Sequence, residues 1–215
     1  MFFHHSMNKE DVDNKIPIYK LTTKDEILKY YNQWSKDSQF NKDMVDWNYT
    51  APQNVANLLD KYANDKNIKI LDAGCGSGLA GKELKKLNYF NIHGADFSQH
   101  MLDLIELDIY QSLELIDLNE SLKYENENFD AITCVGTFTY GHVKPNALNE
   151  FVRITKNKGL ICFTINEGIY EEYGFDKKIE ELKKNNKWKI KEFFKSDYIK
   201  SKDVNAWLCL AEIIK

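Results

Sequence analysis

Glycine and proline are scarce in this chain, at 10 and 3 of 215 residues, so a collagen-like repeat or a Gly/Pro-rich linker has no basis. No apolar run approaches the ~18 residues that cross a bilayer, and the N-terminus lacks the charged, apolar and small-residue zones of a signal peptide. The expectation is therefore a cytoplasmic protein with no membrane association. The four cysteines, Cys75, Cys134, Cys162 and Cys209, stand far apart with no CxxC pair. Neither a zinc site nor a disulfide framework is expected, no metal is assigned, and the three cysteines in apolar runs read as small core residues. Basic residues are not in excess: 29 Lys+Arg against 33 Asp+Glu give a formal net charge of -4. Phosphate-backbone binding normally needs a basic face, so nucleic acid is a disfavoured partner. His4 and His5, in MFFHHS, receive no function.

Hydrophobic residues make up 43% and charged residues 29%, which is ordinary globular usage for a chain long enough to bury one core. Residues 1–23 read as a flexible lead-in and 24–215 as one domain. Ile27, Leu28, Tyr31 and Trp34 recur at helical spacing in TKDEILKYYNQWSKD, and Pro52 opens a second helix striped by Val55, Leu58, Leu59 and Tyr62. From residue 68 short apolar runs alternate with helices: strand IKILDA, helix 79–87, strand NIHGAD, helix 99–109, strand LELID. Strand FDAITCV, helix PNALNEFVRITK and strand GLICFTI follow. Such alternation predicts βαβ units joined right-handedly into a parallel sheet covered on both faces. After the helix EEYGFDKKIEELKKN, the runs WKIKEFF and AWLCLAEII follow with no helix between them and should pair antiparallel. The fold class is thus α/β: a Rossmann-like, doubly wound, mostly parallel sheet with a C-terminal antiparallel strand pair and N-terminal helices.

Against the general scarcity, Gly74, Gly76, Gly78 and Gly81 fall within eight residues, in ILDAGCGSGLAGKEL. The loop Asp72, Ala73, Gly74, Cys75, Gly76 and Gly78 follows a strand and opens a helix, the context of a ligand-cradling turn. Its amides and the helix N-terminus favour an anionic group. A dinucleotide pyrophosphate or the carboxylate of an S-adenosylmethionine could lie there. The dinucleotide fingerprint GxGxxG requires glycine at 79, where Leu79 stands, and a carboxylate at Asp72 suits an ammonium better than a pyrophosphate. Asp96, ending the next strand, can accept from two ribose hydroxyls or, with Ser98, cap a helix. Asp117 can accept from an adenine amino group beside Leu118. Phe97 and Met101 can pack on the nucleoside or belong to the core.

With LDAGCGSG, GADFSQHML, LIDL, FDAITCVGTFTYGHV and GLICFTI, residues 24–215 resemble the class I S-adenosylmethionine-dependent methyltransferases. VGTFTYGHV, KPNALNEFVRITKNKG and EEYGF further resemble the small methyltransferase-like proteins related to the Williams–Beuren syndrome region protein. The resemblance implies S-adenosylmethionine as cofactor, with S-adenosylhomocysteine as product. It puts the aminoacyl end at Asp72, Gly74, Gly76 and Gly78, the ribose and adenine at Asp96, Phe97, Asp117 and Leu118, and the floor at Val135, Gly136 and Thr137. The family's N-terminal YDxWAxxYD pattern here reads YNQWSKDSQ, which keeps Tyr31 and Trp34 and loses both aspartates and the second tyrosine.

Methyl transfer needs no protein nucleophile, only positioning and a neutral or deprotonating acceptor. In the turn after the fourth strand, His142 is the first candidate for a base or orienting group and Tyr140 the second. Tyr49, Phe138 and Tyr170 suggest an aromatic acceptor pocket. There is no Asn-Pro-Pro-aromatic sequence for adenine or glutamine nitrogens and no Pro-Cys pair for cytosine C5. A small-molecule acceptor leads; a protein side chain, a cofactor-binding module without catalysis, and a nicotinamide-dependent oxidoreductase are the alternatives.

Overall fold

In the computed structural model, residues 16–215 are described. Seven strands form one sheet in the order β3-β2-β1-β4-β5-β7-β6. They are β1 (Ile70–Ala73), β2 (Ile92–Asp96), β3 (Ser112–Leu115), β4 (Phe129–Phe138), β5 (Thr155–Asn166), β6 (Trp188–Ile199) and β7 (Val204–Ile213). The first five run parallel, and β7 inserts antiparallel between β5 and β6. This is the architecture expected from the alternation of runs, with the closing ribbon at one edge. The chain reverses its direction of winding between β1 and β4, and ligands of open α/β sheets bind beyond the carboxyl ends of strands at such a point.

Helices cover both faces because each carries one apolar stripe. The helix α3 (Ala51–Tyr62) and α4 (Leu79–Lys86) bury Val55, Leu59 and Leu84 against one face. On the other face α6 (Ala147–Ile154) and α7 (Phe175–Lys184) bury Leu148, Phe151, Phe175 and Ile179. Two N-terminal helices, α1 (Lys24–Trp34) and α2 (Gln39–Asp46), lie over the carboxyl ends of the strands instead. A capping box between Thr23 and Glu26 starts α1 by satisfying amides at both positions.

Two elements differ from expectation. The lead-in is packed from residue 16: Ile16, Ile18 and Tyr19 are buried around a short 3-10 turn at Pro17–Lys20. The polar letters around these three apolar residues concealed them; His4 and His5 lie outside the described residues. The helix expected over 99–109 stops early, as α5 (Gln99–Leu102). Beyond it the backbone turns, with Asp108 in the left-handed region (φ 69°), and brings the Tyr110 ring against Gly81 and Gly94. A continued helix would carry Tyr110 away from that seat. All four cysteines are buried and unpaired, Cys75 among them. No helix among the described residues is long and apolar enough to cross a membrane.

Candidate functional site

A cleft opens at the carboxyl ends of β1, β2 and β4, closed above by α1 and α2. Its lining includes Tyr31, Trp34, Gly74, Cys75, Gly76, Asp96, Phe97, Met101, Asp117, Leu118, Val135, Gly136, Thr137 and His142. Fourteen residues singled out from sequence as candidate site residues are thereby brought together. Asp72, Ala73, Gly78, Ser98 and Tyr140 do not line it.

The glycine loop is shaped from within. Gly74, Gly76 and Gly78 adopt φ of 75°, 52° and 84°, a region in which a side chain is strained. A Cβ on Gly74 would lie 2.1 Å from Thr137 Oγ1, so β1 and β4 approach here as only glycine allows. Four of the loop amides donate within the protein. The Gly74 and Cys75 amides donate to Ala95 carbonyl oxygen at 2.7 and 3.0 Å, Gly78 to Cys75 carbonyl at 2.9 Å, and Gly76 to Asp96 Oδ2 at 2.9 Å.

The expected place of Asp72 is corrected. Its carboxylate is fully buried behind the loop, where it accepts from Tyr110 Oη at 2.7 Å, Thr133 Oγ1 at 3.0 Å and the Gly81 amide in the first turn of α4. The positive end of α4 is therefore occupied by the protein's own carboxylate. Burial raises the Asp72 pKa to about 6, against the lowering effect of these donors. Tyr110 carries no local signal for this role, since it directly follows the stretch expected to be helical.

Asp96 faces the cleft while bracing it. Oδ2 accepts from Gly76 and Oδ1 from the Ser98 amide, each at 2.9 Å, and the Phe97 amide is a third donor to the carboxylate, which leaves acceptor capacity for one further donor. Burial again raises its pKa to about 6. Ser98 is a helix cap, its hydroxyl accepting from the Met101 amide, and has no direct place at the cleft. Across the mouth, Asp117 Oδ2 accepts from Lys24 Nζ of α1 at 2.5 Å, and Oδ1 accepts from the Asn119 amide. Burial works to raise the Asp117 pKa, but these two partners outweigh it and hold the carboxyl below its ordinary value.

On the roof, His142 Nδ1 lies 2.6 Å from the Tyr140 carbonyl oxygen, which can only accept, so Nδ1 carries the proton. Nε2 is then an acceptor, and the Tyr31 hydroxyl donates to it at 3.0 Å. Burial lowers the His142 pKa to about 4, so the ring is neutral near pH 7. As a general base it is weak and already engaged; its evident effect is to hold Tyr31. Tyr31 is stacked with Trp34 and edge-on to Phe97, and the Trp34 indole donates to Asp43 Oδ2 at 2.6 Å. Ser77 Oγ, buried in the loop, donates to Asn41 Oδ1 at 2.5 Å and ties α2 to it.

Tyr140, the second catalytic candidate, is a core residue: its ring packs on Tyr19 and Tyr173, away from the cleft. Phe138 lies among Phe151, Phe163 and Phe175, and Tyr170 packs at a tilt on Phe193 and Trp207, and neither lines the cleft. Tyr49 does reach the cleft, together with Tyr19 and Tyr198, which the sequence reading did not select. Their positions, separated widely along the chain, leave no local signal. No cluster of His, Cys, Asp and Glu able to hold a metal occurs among the described residues.

Residues 71–163 match the family described as a methyltransferase domain. The chain is 33% identical over 141 residues to the human methyltransferase-like protein 27, covering 64% of this chain and 56% of that protein. An uncharacterized protein of Methanocaldococcus jannaschii is 29% identical over 161 residues, 72% of this chain and 68% of its own. Among solved structures, the methyltransferase partner of the Haloferax volcanii Trm112 methyltransferase activator superposes with a TM-score of 0.64 at 16% identity, covering 86% of this chain and 98% of that one. The magnesium protoporphyrin IX methyltransferase of Synechocystis, solved with bound S-adenosylmethionine, gives 0.61 at 14% identity, covering 80% and 82%. At these identities the structural likeness is one of fold. The chain spans little more than half the length of the human relative.

Proposed function

We propose that the chain, whose residues 71–163 match a methyltransferase domain, belongs to the class I, S-adenosylmethionine-dependent methyltransferases and transfers a methyl group from S-adenosylmethionine, in line, to a small-molecule acceptor. The observation that carries the reading is Asp96: a buried carboxylate that shapes the glycine loop through Gly76 and keeps acceptor capacity turned to the cleft. A ribose hydroxyl can donate to that remaining capacity. Phe97 and Met101 supply apolar surface for the nucleoside, and Asp117 an acceptor for an exocyclic amine. A pyrophosphate is matched less well, because the α4 N-terminus holds Asp72 and the Gly74, Cys75, Gly76 and Gly78 amides are already bonded.

When bound, the cofactor supplies an activated methyl group on a sulfonium centre, so the protein's part is positioning and exclusion of water. Tyr31, fixed by His142, and the α1–α2 roof cover the cleft, while Gly136 and Thr137 form its floor. Calorimetry with S-adenosylhomocysteine and NAD tests the cofactor assignment: binding of the first alone is expected, and binding of NAD alone overturns it. Transfer of a labelled methyl group into extracts of small metabolites tests the activity. Binding with persistent absence of transfer would make the protein a cofactor-binding module instead.

A further inference from the structure

In the part of the cleft beside the end of β4, three phenols converge from segments far apart in sequence. A Cβ built on Gly136, which has φ 77°, would stand 2.4 Å from the Tyr49 hydroxyl and 3.2 Å from that of Tyr198. Both oxygens therefore sit at the end of β4, with the two rings edge-on at 5.2 Å. Tyr49 is held there by its bridge to Ile199, and Tyr19 by the Asn166 side-chain amide, which donates to its hydroxyl at 3.3 Å. Thr139 Oγ1, beside Tyr19, is buried and makes no well-formed hydrogen bond although the residue lines the same cleft. Apolar walls come from the N-terminal segment and the first two helices, through Ile16, Ile18, Ile27 and Met44.

Charge is sparse. Among the described lining residues Lys24 bears the single cationic side chain, and it is paired with Asp117; Asp96 is the other ionisable acid. His142 has both ring nitrogens engaged and is neutral near pH 7. Burial pushes the Tyr19 phenol up to about 12 and raises those of Tyr49 and Tyr198, so all three remain neutral groups able to donate or accept. A carboxylate or phosphate entering this half would lose hydration, meet no free cation and feel the charge of Asp96. A neutral ring bearing a hydroxyl would meet apolar walls and hydroxyl partners, including Thr139, whose hydroxyl makes only a loose contact to Tyr19.

We propose that this half of the cleft binds an uncharged, largely apolar, ring-sized acceptor through a hydroxyl-type contact to Thr139 and the Tyr49–Tyr198 pair, and rejects carboxylates and phosphates. The assignment rests on the cofactor reading of the glycine-loop half. It also gives a use to residues 16–49 and 198–199, which lie outside the stretch matched by the family.

The test uses the full chain saturated with S-adenosylhomocysteine, whose own affinity is measured first. p-Cresol, benzoate and phenyl phosphate are then titrated as probes, by ligand-detected NMR and thermal shift. p-Cresol is expected to bind at least fivefold more tightly than either anion. Thr139→Val, which removes a hydroxyl that lacks a well-formed bond, and Tyr198→Phe are each expected to weaken p-cresol at least threefold, with S-adenosylhomocysteine affinity held within twofold. Equal or tighter binding of an anion, no binding of p-cresol, or p-cresol affinity unchanged in both variants overturns the assignment while leaving the cofactor reading standing. Failure of S-adenosylhomocysteine to bind removes the cofactor reading and this one with it.

Discussion

The hydroxyl of Tyr31 and Nε2 of His142 meet at 3.0 Å, joining α1 to the turn after β4. The opposite ring nitrogen is anchored on the Tyr140 carbonyl, so the direction of the Tyr31 bond is fixed by the imidazole tautomer.

Removing either partner leaves a buried polar atom unmatched. Tyr31→Phe and His142→Ala should each lower stability by about 1–3 kcal/mol, and the double variant should fall short of their sum by about 1 kcal/mol. Denaturant titration of the four proteins measures this, and strict additivity would contradict the pairing.

Asp96 links stability to pH. Its folded pKa of about 6 exceeds the ordinary 3.8, so the folded state binds more protons than the unfolded one in that interval. The stability from its protonated form is complete below about pH 4 and lost as pH rises through 6. Asp96→Asn should therefore gain about 1–3 kcal/mol relative to the parent between pH 4.5 and pH 7.5, because the variant has no charge to bury. Urea titrations at the two pH values decide it; a difference that is flat or of opposite sign contradicts the assignment.

Lys24 is largely exposed and its ion pair with Asp117 is expected to add no more than about 1 kcal/mol to stability. Yet it occupies an oxygen proposed for the adenine amine. Lys24→Met should leave the melting temperature nearly unchanged and tighten S-adenosylhomocysteine binding about two- to fivefold at low salt, where the pair is least screened. Asp117→Ala should weaken it about tenfold. Weaker binding in Lys24→Met would show that the lysine holds the ligand rather than competing with it.

Two glycines separate backbone strain from crowding. At Gly174 (φ 78°) nothing lies within 4 Å of an added Cβ, whereas at Gly74 the Thr137 side chain is in the way. Gly174→Ala should cost about 1 kcal/mol and Gly74→Ala about 3 kcal/mol or more, with cofactor binding lost only in the second. Equal costs in thermal unfolding would mean that β1 and β4 do not approach as described.

The parallel sheet was legible because its strands are short apolar runs spaced by helices, and the loop was legible because four glycines cluster in a chain that has few. What escaped was long-range. Nothing near Asp72 in sequence says that Tyr110, thirty-eight residues on, will take its carboxylate. Tyr140 and His142 stand two apart in one turn, yet only the second faces the cleft, because the first packs on Tyr19 from a segment that reads as polar. Tyr198 comes from the far edge strand, which follows the glycine loop by more than a hundred residues.

The central claim is that the backbone at Gly76 borders the seat of an S-adenosylmethionine-type ligand. Gly76 has φ 52° and an added Cβ would meet only Met101 Cε, at 3.6 Å, so Gly76→Arg projects a side chain at that seat with modest backbone strain. Calorimetric titration with S-adenosylhomocysteine should show micromolar or tighter binding to the parent and none to a folded Gly76→Arg protein. Equal affinity in the two proteins, or no binding by the parent, would contradict the account.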